Sequence, residues 1–314
     1  MTTAHKPRKF EHHAALREAT PLLVSIVGPS SSGKTYSALR LATGMQRVYG
    51  GDIWVVDTEA KRSLYYADDF RFQHVPFDPP FSPSDYIDVY NYIASKGAKI
   101  IVTDSMSHEH EGDGGLMDMF EAELDRVAGN DIAKRERCKG MAWMKPKAEH
   151  KRLRRTIVQT GASFIFCYRS QEKLEWGGKP KELGFQPVGD KKWLWDMNAS
   201  FVLTPGCNGV PKWDFELQSE GVHAKRPKEF ADVLTKGRQL DEGVGFAMAE
   251  FAAGVKTDAA ELVSAYGACG EPPTLAELER KRRAGWMRYT KDEKMAVKTA
   301  ADAATARVLG GSNG

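Results

Sequence analysis

The chain has 314 residues, which is long enough for one large core and a small appended module, and its 41% apolar and 28% charged residues are typical of a globular protein. No apolar run approaches the roughly 18 residues that a membrane-spanning helix needs, and the basic N-terminus is not followed by an apolar stretch. We therefore expect neither a membrane protein nor a secreted one, and the net charge of +3 is too small to indicate a nucleic-acid partner by itself.

The cysteines are widely spaced and form no C-x-x-C pair. This pattern predicts reduced thiols in a cytoplasm rather than a disulfide framework or a zinc site. The four residues are Cys138, Cys167, Cys207 and Cys269.

Residues 1–20 are predicted to form a basic, flexible tail, and residues 21–238 an α/β core. In the core, short apolar runs alternate with longer helical stretches, which predicts a mostly parallel sheet with helices on both faces. The predicted strands are Leu22–Val27, Ile53–Asp57, Phe72–Pro76, Ile100–Asp104, Ser163–Tyr168 and Ser200–Thr204. The predicted helices cover 34–48, 84–96, 115–127 and 144–160.

After the core strands, residues 206–225 are predicted to form a hairpin that turns at Cys207-Asn208-Gly209. Residues 239–314 are predicted to contain a linker, within the Gly- and Ala-rich stretch 243–254, and a small helical module. Helices are expected over 259–267, 275–288 and 291–309, because a capping residue precedes a glutamate by three positions at Asp258, Thr274 and Thr290. The last five residues are predicted to be disordered.

The most specific motif is Gly28-Pro-Ser-Ser-Ser-Gly-Lys-Thr35, a complete phosphate-binding loop between an apolar strand and a helix. Glycines allow the backbone to aim successive N–H groups at phosphate oxygens, and the helix start adds partial positive charge. Lys34 is expected to reach the β- and γ-phosphates of ATP, and the Thr35 hydroxyl to ligate Mg²⁺. The nucleotide-binding residues are predicted to be Gly28, Pro29, Ser30, Ser31, Ser32, Gly33, Lys34, Thr35 and Tyr36.

A second nucleotide element is the apolar strand that ends at Asp104. We expect this strand to lie beside the strand of the phosphate loop, so that Asp104 completes the Mg²⁺ shell with Thr35. The alternative is an ordinary buried strand that ends in a turn-forming aspartate.

The third element ends in Asp57-Thr58-Glu59, at the strand end where open α/β sheets bind ligands. ATP hydrolysis needs a group that orients the attacking water, and Glu59 is the first choice for it. Glu109 and Glu111 are reserves, and the alternative for Glu59 is a capping or salt-bridging role. His108 and His110 have no third ligand at a diagnostic spacing, so we expect no structural metal.

The phosphate loop, the stretch Val55–Ala60 followed by Tyr65-Tyr66-Ala67, and the strand ending Asp104-Ser105 resemble RecA-type recombinase cores, in that order. In that family the glutamate after the second strand is the catalytic carboxylate, which implies this role for Glu59. The family also ends a core strand, here Phe164–Gln171, with a polar residue that senses the γ-phosphate. Recombinases usually have Asn-Gln there and this chain has Tyr168-Arg169, so Arg169 is the first sensor candidate and Gln171 the second.

More narrowly, Asp104-Ser105 with His108–Gly115 and Arg169–Lys173 resembles the short RecA-like ATPases of bacteriophages, a group that includes single-strand annealing proteins. The resemblance covers about residues 21–235. It implies a phage-encoded homo-oligomer, a ring or filament, that acts on single-stranded DNA in the cytoplasm of an infected bacterium. A single-strand binding protein or a replication factor is a further possible partner.

Residues 171–192 combine glycines, cations and aromatic rings, which suits contact with single-stranded nucleic acid. Four carboxylates offset five lysines, however, so a plain surface hairpin or lid is a serious alternative. The predicted DNA contacts are Lys173, Trp176, Lys179, Lys181, Lys191 and Lys192.

Other basic runs allow more than one interpretation. Residues 145–155 are predicted to be a solvated helix face, a phosphate-tracking surface or a subunit contact. Lys225 and Arg226 are candidates to reach the γ-phosphate of a neighbouring subunit, although an exposed basic pair is favoured. The run 280–283 is equally ambiguous.

The sequence thus favours an ATP- and Mg²⁺-dependent ATPase that promotes annealing or strand pairing of single-stranded DNA. A rival is a nucleotide-switched protein that recruits replication or recombination factors. A phosphotransferase ranks last, because residues 171–192 contain no arginine for a mobile lid.

Overall fold

The computed structural model describes residues 12, 18–177, 179–190, 193–213, 224–254, 259–285 and 289–310. It contains seven strands: β1 Leu23–Gly28, β2 Ile53–Asp57, β3 Gln73–Pro76, β4 Ile100–Asp104, β5 Ser163–Gly177, β6 Lys179–Pro187 and β7 Ala199–Val202. The helices of the core are α1 Lys34–Tyr49, α2 Pro83–Ser95, α3 His108–Glu111, α4 Leu116–Ala128, α5 Ile132–Ala142, α6 Met144–Thr160 and α7 Glu242–Ala252. Three more follow near the C-terminus: α8 Ala259–Ala268, α9 Pro272–Gly285 and α10 Lys291–Gly310.

Six strands form a parallel sheet in the order β3-β2-β4-β5-β1-β7, and β6 pairs antiparallel with β5. The α/β class and the mostly parallel sheet expected from the sequence are confirmed. The expectation that β4 lies beside β1 was wrong, because β5 separates them. The long apolar strand Phe164–Tyr168 is buried on both faces, which suits this central place in the sheet.

Helices cover both faces of the sheet, because neighbouring residues of each strand point to opposite sides. Val24, Ile26 and Val55 join one core cluster with α1 and α7. Val27, Val56 and Phe164 join a second cluster with α2 and α6. Each apolar run in the sequence therefore supplies alternate residues to the two core clusters, one on each face of the sheet.

The main difference from expectation is α7, which occupies most of the predicted linker 243–254. Val244, Met248 and Ala249 on this helix are fully buried in the core cluster of α1. Asp241 starts the helix by accepting a hydrogen bond from the N–H of Val244 at 2.9 Å. The stretch looks like a linker because glycine and alanine have small side chains, and the same small side chains let α7 lie close against α1.

Two further helices were not predicted, α3 in the His/Glu-rich segment and α5. Beyond Tyr168, β5 continues and pairs antiparallel with β6, with Ser170 opposite Pro187 and Gly177 opposite Lys179. Whether this hairpin contacts DNA stays a prediction. A turn at Cys207–Val210 is present, with Val210 N donating to Cys207 O at 2.9 Å. Residues 214–223 of the predicted late hairpin lie outside the described residues, as do most of the predicted N-terminal tail and residues 311–314 of the C-terminal tail.

The helices α8, α9 and α10 pack around a cluster of their own that includes Leu262, Tyr266 and Val297. Thr290 and Glu293 form the predicted capping box: Thr290 N donates to Glu293 Oε2 at 2.7 Å, and Glu293 N donates to Thr290 Oγ1 at 3.3 Å. The predicted cap at Thr274 is not the start of α9, which begins two residues earlier at Pro272. The boundary between the core and this helical module stays a prediction. No helix in the described part of the chain has the length and apolarity to cross a membrane.

The contact between α1 and α7 gives a direct test of the core. A Cβ at Gly245 would lie 2.1 Å from the carbonyl oxygen of Leu41, so we expect Gly245→Ala to force the helices apart. The substitution should lower the free energy of unfolding by about 1–3 kcal/mol, as overpacked cores do. Gly140→Ala in α5 is the matched control, because a Cβ there meets nothing within 4 Å. In urea denaturation the control should be neutral or more stable by up to about 1 kcal/mol; equal effects at both glycines would contradict this packing.

Candidate nucleotide site

The phosphate loop turns from β1 into α1 with two residues in the left-handed region, Ser31 at φ 62° and Gly33 at φ 84°. A Cβ at Gly28 would lie 2.4 Å from Ser32 Oγ and 2.5 Å from the carbonyl oxygen of Leu203, so only glycine fits there. Lys34 Nζ donates to the carbonyl oxygen of Pro29 at 2.8 Å. The loop thus has its lysine held across its own backbone, where a phosphate group would compete for it.

Thr35 and Asp104, the residues predicted to hold Mg²⁺, are in direct contact, although β5 lies between β1 and β4 in the sheet. Thr35 Oγ1 donates to Asp104 Oδ2. Burial raises the pKa of Asp104 to about 6, and the charges of Glu59 and Asp57 add to this, while the Thr35 hydrogen bond and Lys34 oppose it. A buried carboxylate beside a hydroxyl group fits a divalent cation. Ser32 Oγ, buried without a hydrogen-bond partner in the described part of the chain, is a further polar group that suits an anionic ligand in the loop.

Glu59 lies at the same sheet edge and is held on both oxygens by Arg169. Arg169 Nε and Nη2 donate to Glu59 Oε1 and Oε2 at 2.9 and 2.8 Å. Burial acts to raise the pKa of Glu59, but this hydrogen-bonded pair and the charges of His108 and Arg62 outweigh it, so the pKa lies below its ordinary value. Glu59 is therefore a carboxylate at neutral pH, as a water-orienting group must be.

The turn that presents Glu59 is organised by Asp57. Its carboxylate accepts hydrogen bonds from Glu59 N at 2.9 Å and from Ser63 N and Oγ at 3.0 and 2.5 Å. Between these two anchored points the chain passes through Ala60 and Lys61, both with positive φ. Left-handed conformations of such residues are rare and are concentrated at functional sites.

Arg169 is itself fixed by Ser107, a residue that the sequence analysis did not single out. Ser107 Oγ accepts from Arg169 N at 2.9 Å and donates to Val188 O at 2.8 Å. It joins the segment after Asp104 to both ends of the β5–β6 hairpin. A lone buried serine gives no sequence signal for this role.

All five side chains predicted for catalysis line one pocket of about 390 Å³: Lys34, Glu59, Asp104, Arg169 and Gln171. Ser30, Ser31 and Thr35 of the loop line it too. The pocket is also lined by Arg62 and Ser170, to which the sequence analysis gave no role, and by Glu111, a reserve candidate for the water-orienting carboxylate. The structure brings the predicted set together, while the role of each residue stays a prediction.

A second pocket, of about 320 Å³, shares Ser31 of the loop with the first. Ser32, Gly33 and Tyr36 line it, and so do Arg40 and Gln239 from more distant segments. The Tyr36 ring packs on Phe70 with centroids 5.3 Å apart and on Tyr66 at 5.8 Å. Tyr36 is therefore placed beside the loop rather than in the pocket that holds Asp104 and Glu59.

The two reserve carboxylates have different environments. Glu111 lines the first pocket, 4.0 Å from Arg169 Nη1. Glu109 is 2% exposed and pairs with His150 on α6, whose Nδ1 is 2.8 Å from Glu109 Oε1. Glu109 therefore does not line this pocket, and Glu111 is the reserve that the geometry retains.

The predicted DNA contacts are less fully placed. The structure gives only the backbone of Lys173, Trp176, Lys179 and Lys181, in the β5–β6 hairpin. Lys191 and Lys192 lie outside the described residues. Two residues were proposed to reach the γ-phosphate of a neighbouring subunit. In the structure, Lys225 Nζ donates to Met197 O at 2.7 Å, and the guanidinium of Arg226 lies over the Trp213 ring, 5.9 Å from its centroid.

His150 forms a buried ionic cluster that the sequence analysis missed, since its two partners are distant in the chain. Besides Glu109, Asp190 faces it, with Oδ2 3.3 Å from His150 Nε2, and the ring of Trp193 packs edge-on at 5.7 Å. Burial opposes the charged imidazolium, but the hydrogen bonds and charges of Asp190 and Glu109 outweigh it and raise the pKa of His150 to about 9. The cluster ties α3, α6 and the end of the β5–β6 hairpin together.

This cluster predicts a stability loss at alkaline pH. Because the pKa of His150 is higher in the folded chain than its ordinary 6.5, its stabilisation is complete below pH 6.5 and is lost as the pH rises through 9. We expect the wild-type advantage over His150→Gln to shrink by about 3 kcal/mol between pH 6.5 and 10, the free energy of that pKa difference. Urea denaturation of both chains at each pH measures it, and a constant difference would contradict the charged state of His150.

No protein-family model and no curated protein sequence matches the chain. Among solved structures, it is similar to the KaiC-like protein PH0186 from the hyperthermophilic archaeon Pyrococcus horikoshii OT3, with 14% identity and a TM-score of 0.33. The similarity covers 60% of this chain and 80% of that one. A likeness at this level carries no functional conclusion.

Proposed function

We propose that the chain is a RecA-like P-loop ATPase that binds single-stranded DNA and couples ATP hydrolysis to annealing or strand pairing. The observation that carries the proposal is the single pocket shared by Lys34, Asp104, Glu59 and Arg169. A phosphate-loop lysine, a buried carboxylate beside a hydroxyl group and a second carboxylate at the same sheet edge are the parts that phosphoryl transfer to water requires.

In this proposal the triphosphate of ATP lies on the backbone of Gly28–Thr35. Lys34 exchanges the carbonyl oxygen of Pro29 for phosphate oxygens, and Thr35 and Asp104 hold Mg²⁺. When bound, Mg²⁺ would neutralise charge on the β- and γ-phosphates. The second pocket, which meets the first at Ser31, is of a size to take the nucleoside, with Tyr36 as an aromatic wall.

Glu59 would orient the attacking water, and its ion pair with Arg169 bears directly on this role. A carboxylate engaged on both oxygens has little capacity left to accept a proton from water. The γ-phosphate carries more negative charge than Glu59 and would compete for Arg169, a partner exchange that would leave Glu59 free. Arg169 would thus act as the γ-phosphate sensor, with Gln171 beyond it on β5.

The DNA part of the proposal rests on the hairpin β5–β6, which follows Arg169 and carries four of the six predicted contacts: Lys173, Trp176, Lys179 and Lys181. Ser107 joins the backbone of Arg169 to that of Val188 at the other end of the hairpin. A change at Arg169 would therefore be transmitted to both ends of the hairpin. Assembly into a ring or filament on the strand is part of the same proposal.

A second candidate function is a nucleotide-switched protein that recruits replication or recombination factors and hydrolyses ATP slowly. The bidentate Arg169–Glu59 pair favours it, because this pair occupies the water-orienting carboxylate. The two candidates differ in whether single-stranded DNA alters turnover.

The deciding measurement is the steady-state ATPase rate with and without single-stranded DNA. We expect DNA to raise the rate, because a strand bound at the hairpin would act on Arg169 and so on Glu59. Lys34→Ala should abolish turnover in both conditions by removing charge compensation for the phosphates, whereas Lys236→Ala, on an exposed lysine, should change neither. A wild-type rate indifferent to DNA would favour the nucleotide switch, and turnover at the normal rate by Lys34→Ala would refute the assigned site.

The role of Glu59 is tested by Glu59→Gln, which keeps the shape of the side chain and removes its charge. ATP binding should persist, while hydrolysis falls about 10²-fold or more, the scale of a positioned acid–base group. Calorimetry and single-turnover hydrolysis separate the two effects. Glu111→Gln is the comparison from the same pocket: a larger loss there than at Glu59 would transfer the role to Glu111.

A further inference from the structure

Helix α6 has a buried face and an exposed basic face. Pro146, His150, Leu153 and Ile157 are buried and pack against the core on the α2 side of the sheet. At 100° per residue, these four positions lie on one side of the helix.

Lys147, Lys151 and Arg155 follow each other at intervals of four residues on a different, exposed side of α6. Their Cα atoms span about 12 Å, because each helical residue rises about 1.5 Å. Met144 and Val158 lie at the ends of the same row and are 69% and 64% exposed. The row combines regularly spaced cations with exposed apolar side chains.

Helix α5, which precedes α6 in the chain, also carries exposed cations and exposed apolar side chains. Ala142 is the one buried residue of this eleven-residue helix, and Lys134 and Arg137 are exposed on neighbouring turns. Ile132 and Met141 are 83% and 52% exposed. The helix packs on α4 through Ala142 and Cys138, and most of its remaining surface is exposed.

Residues 132–155 contain ten lysines and arginines and two carboxylates. Five of the cations have carboxylate partners: Arg135, Lys139, Lys145, Arg152 and Arg154. The other five have no carboxylate within ion-pair distance among the described residues, although Lys147 lies over the Trp143 ring at 5.9 Å. We define these five, Lys134, Arg137, Lys147, Lys151 and Arg155, as the basic face.

We infer that the basic face binds the sugar-phosphate backbone of single-stranded nucleic acid. A row of like charges weakens a helix, and a ligand with repeated negative charges along one line relieves this repulsion at every position. A single phosphate group would engage one or two of the cations and leave the others uncompensated. The exposed Met144 and Val158 lie at the two ends of the row, and the unpaired bases of a single strand offer apolar faces to such side chains.

The position of α6 connects this surface to the nucleotide pocket. The helix ends at Thr160, just before β5 begins, so its first turns lie at the sheet edge where β5 reaches Arg169. His150, on the same helix, contacts Glu109, five residues after Asp104, and Asp190 at the end of the hairpin. A strand on the basic face would therefore lie on an element fixed to α3, which follows Asp104 in the chain, and to the end of the hairpin. The inference rests on the proposed function, in that it identifies a surface for the same strand.

The test is the affinity of the full chain for a fluorescent oligo-dT, measured by anisotropy over a series of salt concentrations without nucleotide. The triple variant Lys147→Gln, Lys151→Gln, Arg155→Gln removes the row of α6 while keeping good helix formers. A control triple, Lys236→Gln, Lys291→Gln, Lys298→Gln, removes the same charge from exposed positions elsewhere.

The first triple variant should bind at least about tenfold more weakly, and its slope of log affinity against log salt should fall by about 2, since each lost phosphate contact removes about 0.7. The control should retain the wild-type affinity and slope. Wild-type affinity and slope in the first triple variant would overturn the inference, as would equal losses in both variants. Polyglutamate that displaces the oligonucleotide as well as unlabelled oligo-dT of equal charge would assign the surface to an acidic protein instead.

Failure of this inference and failure of the proposed function are distinguishable. If DNA binding depends on the basic face but the chain does not hydrolyse ATP, the inference about the basic face stands and the proposed ATPase function fails. If DNA stimulates ATP turnover equally in the wild type and the first triple variant, the proposed ATPase function stands and the inference about the basic face fails.

Discussion

Four parallel strands end together at one edge of the sheet, and every group of the nucleotide pocket depends on this alignment. The register pairs Gly28 with Arg169, Asp57 with Asp104, and Asp104 with Cys167. Residues that are distant in the chain therefore arrive at the same level. The segments after each strand end then supply the phosphate loop, the Glu59 turn, the Ser107 bridge and the hairpin, so that a shift of one strand would separate the charges that the pocket assembles.

Among the described residues, the positively and negatively charged side chains that line the pocket are equal in number, and most of them contact one another. Lys34 and Asp104 are both buried, and Arg169 is shared between Glu59 and Glu111. Since burial strengthens electrostatic interactions, adding the charge of a triphosphate and a divalent cation would rearrange these pairs. The same argument explains why the β5–β6 hairpin responds to the pocket in the proposed mechanism: it begins with the arginine whose partner would change.

The sequence predicted the elements whose physics is local. A strand, a glycine-rich turn and a helix start are adjacent in Gly28–Thr35, and strands buried on both faces are visible as apolar runs. The sequence could not predict that Arg169 forms an ion pair with Glu59, or that His150 pairs with Glu109 and Asp190, because those pairs depend on strand order and helix packing. It predicted β4 beside β1, since nothing local reports that β5 lies between them. It also assigned 243–254 to a linker, because small residues that allow close helix packing have the same composition as a flexible connection.

The close fit of α7 against α1 sets where the chain tolerates shortening. Gly44 and Gly245 bring the two helices within backbone contact distance, and Val244, Met248 and Ala249 complete the hydrophobic layer beneath the phosphate loop's own helix. Helices α8–α10 enclose a hydrophobic cluster of their own, whereas a cut before Ala252 removes residues that pack in the cluster of α1. A shortened chain that keeps α1 and its phosphate loop packed must therefore retain α7, whose glycines and buried apolar side chains form one side of that packing.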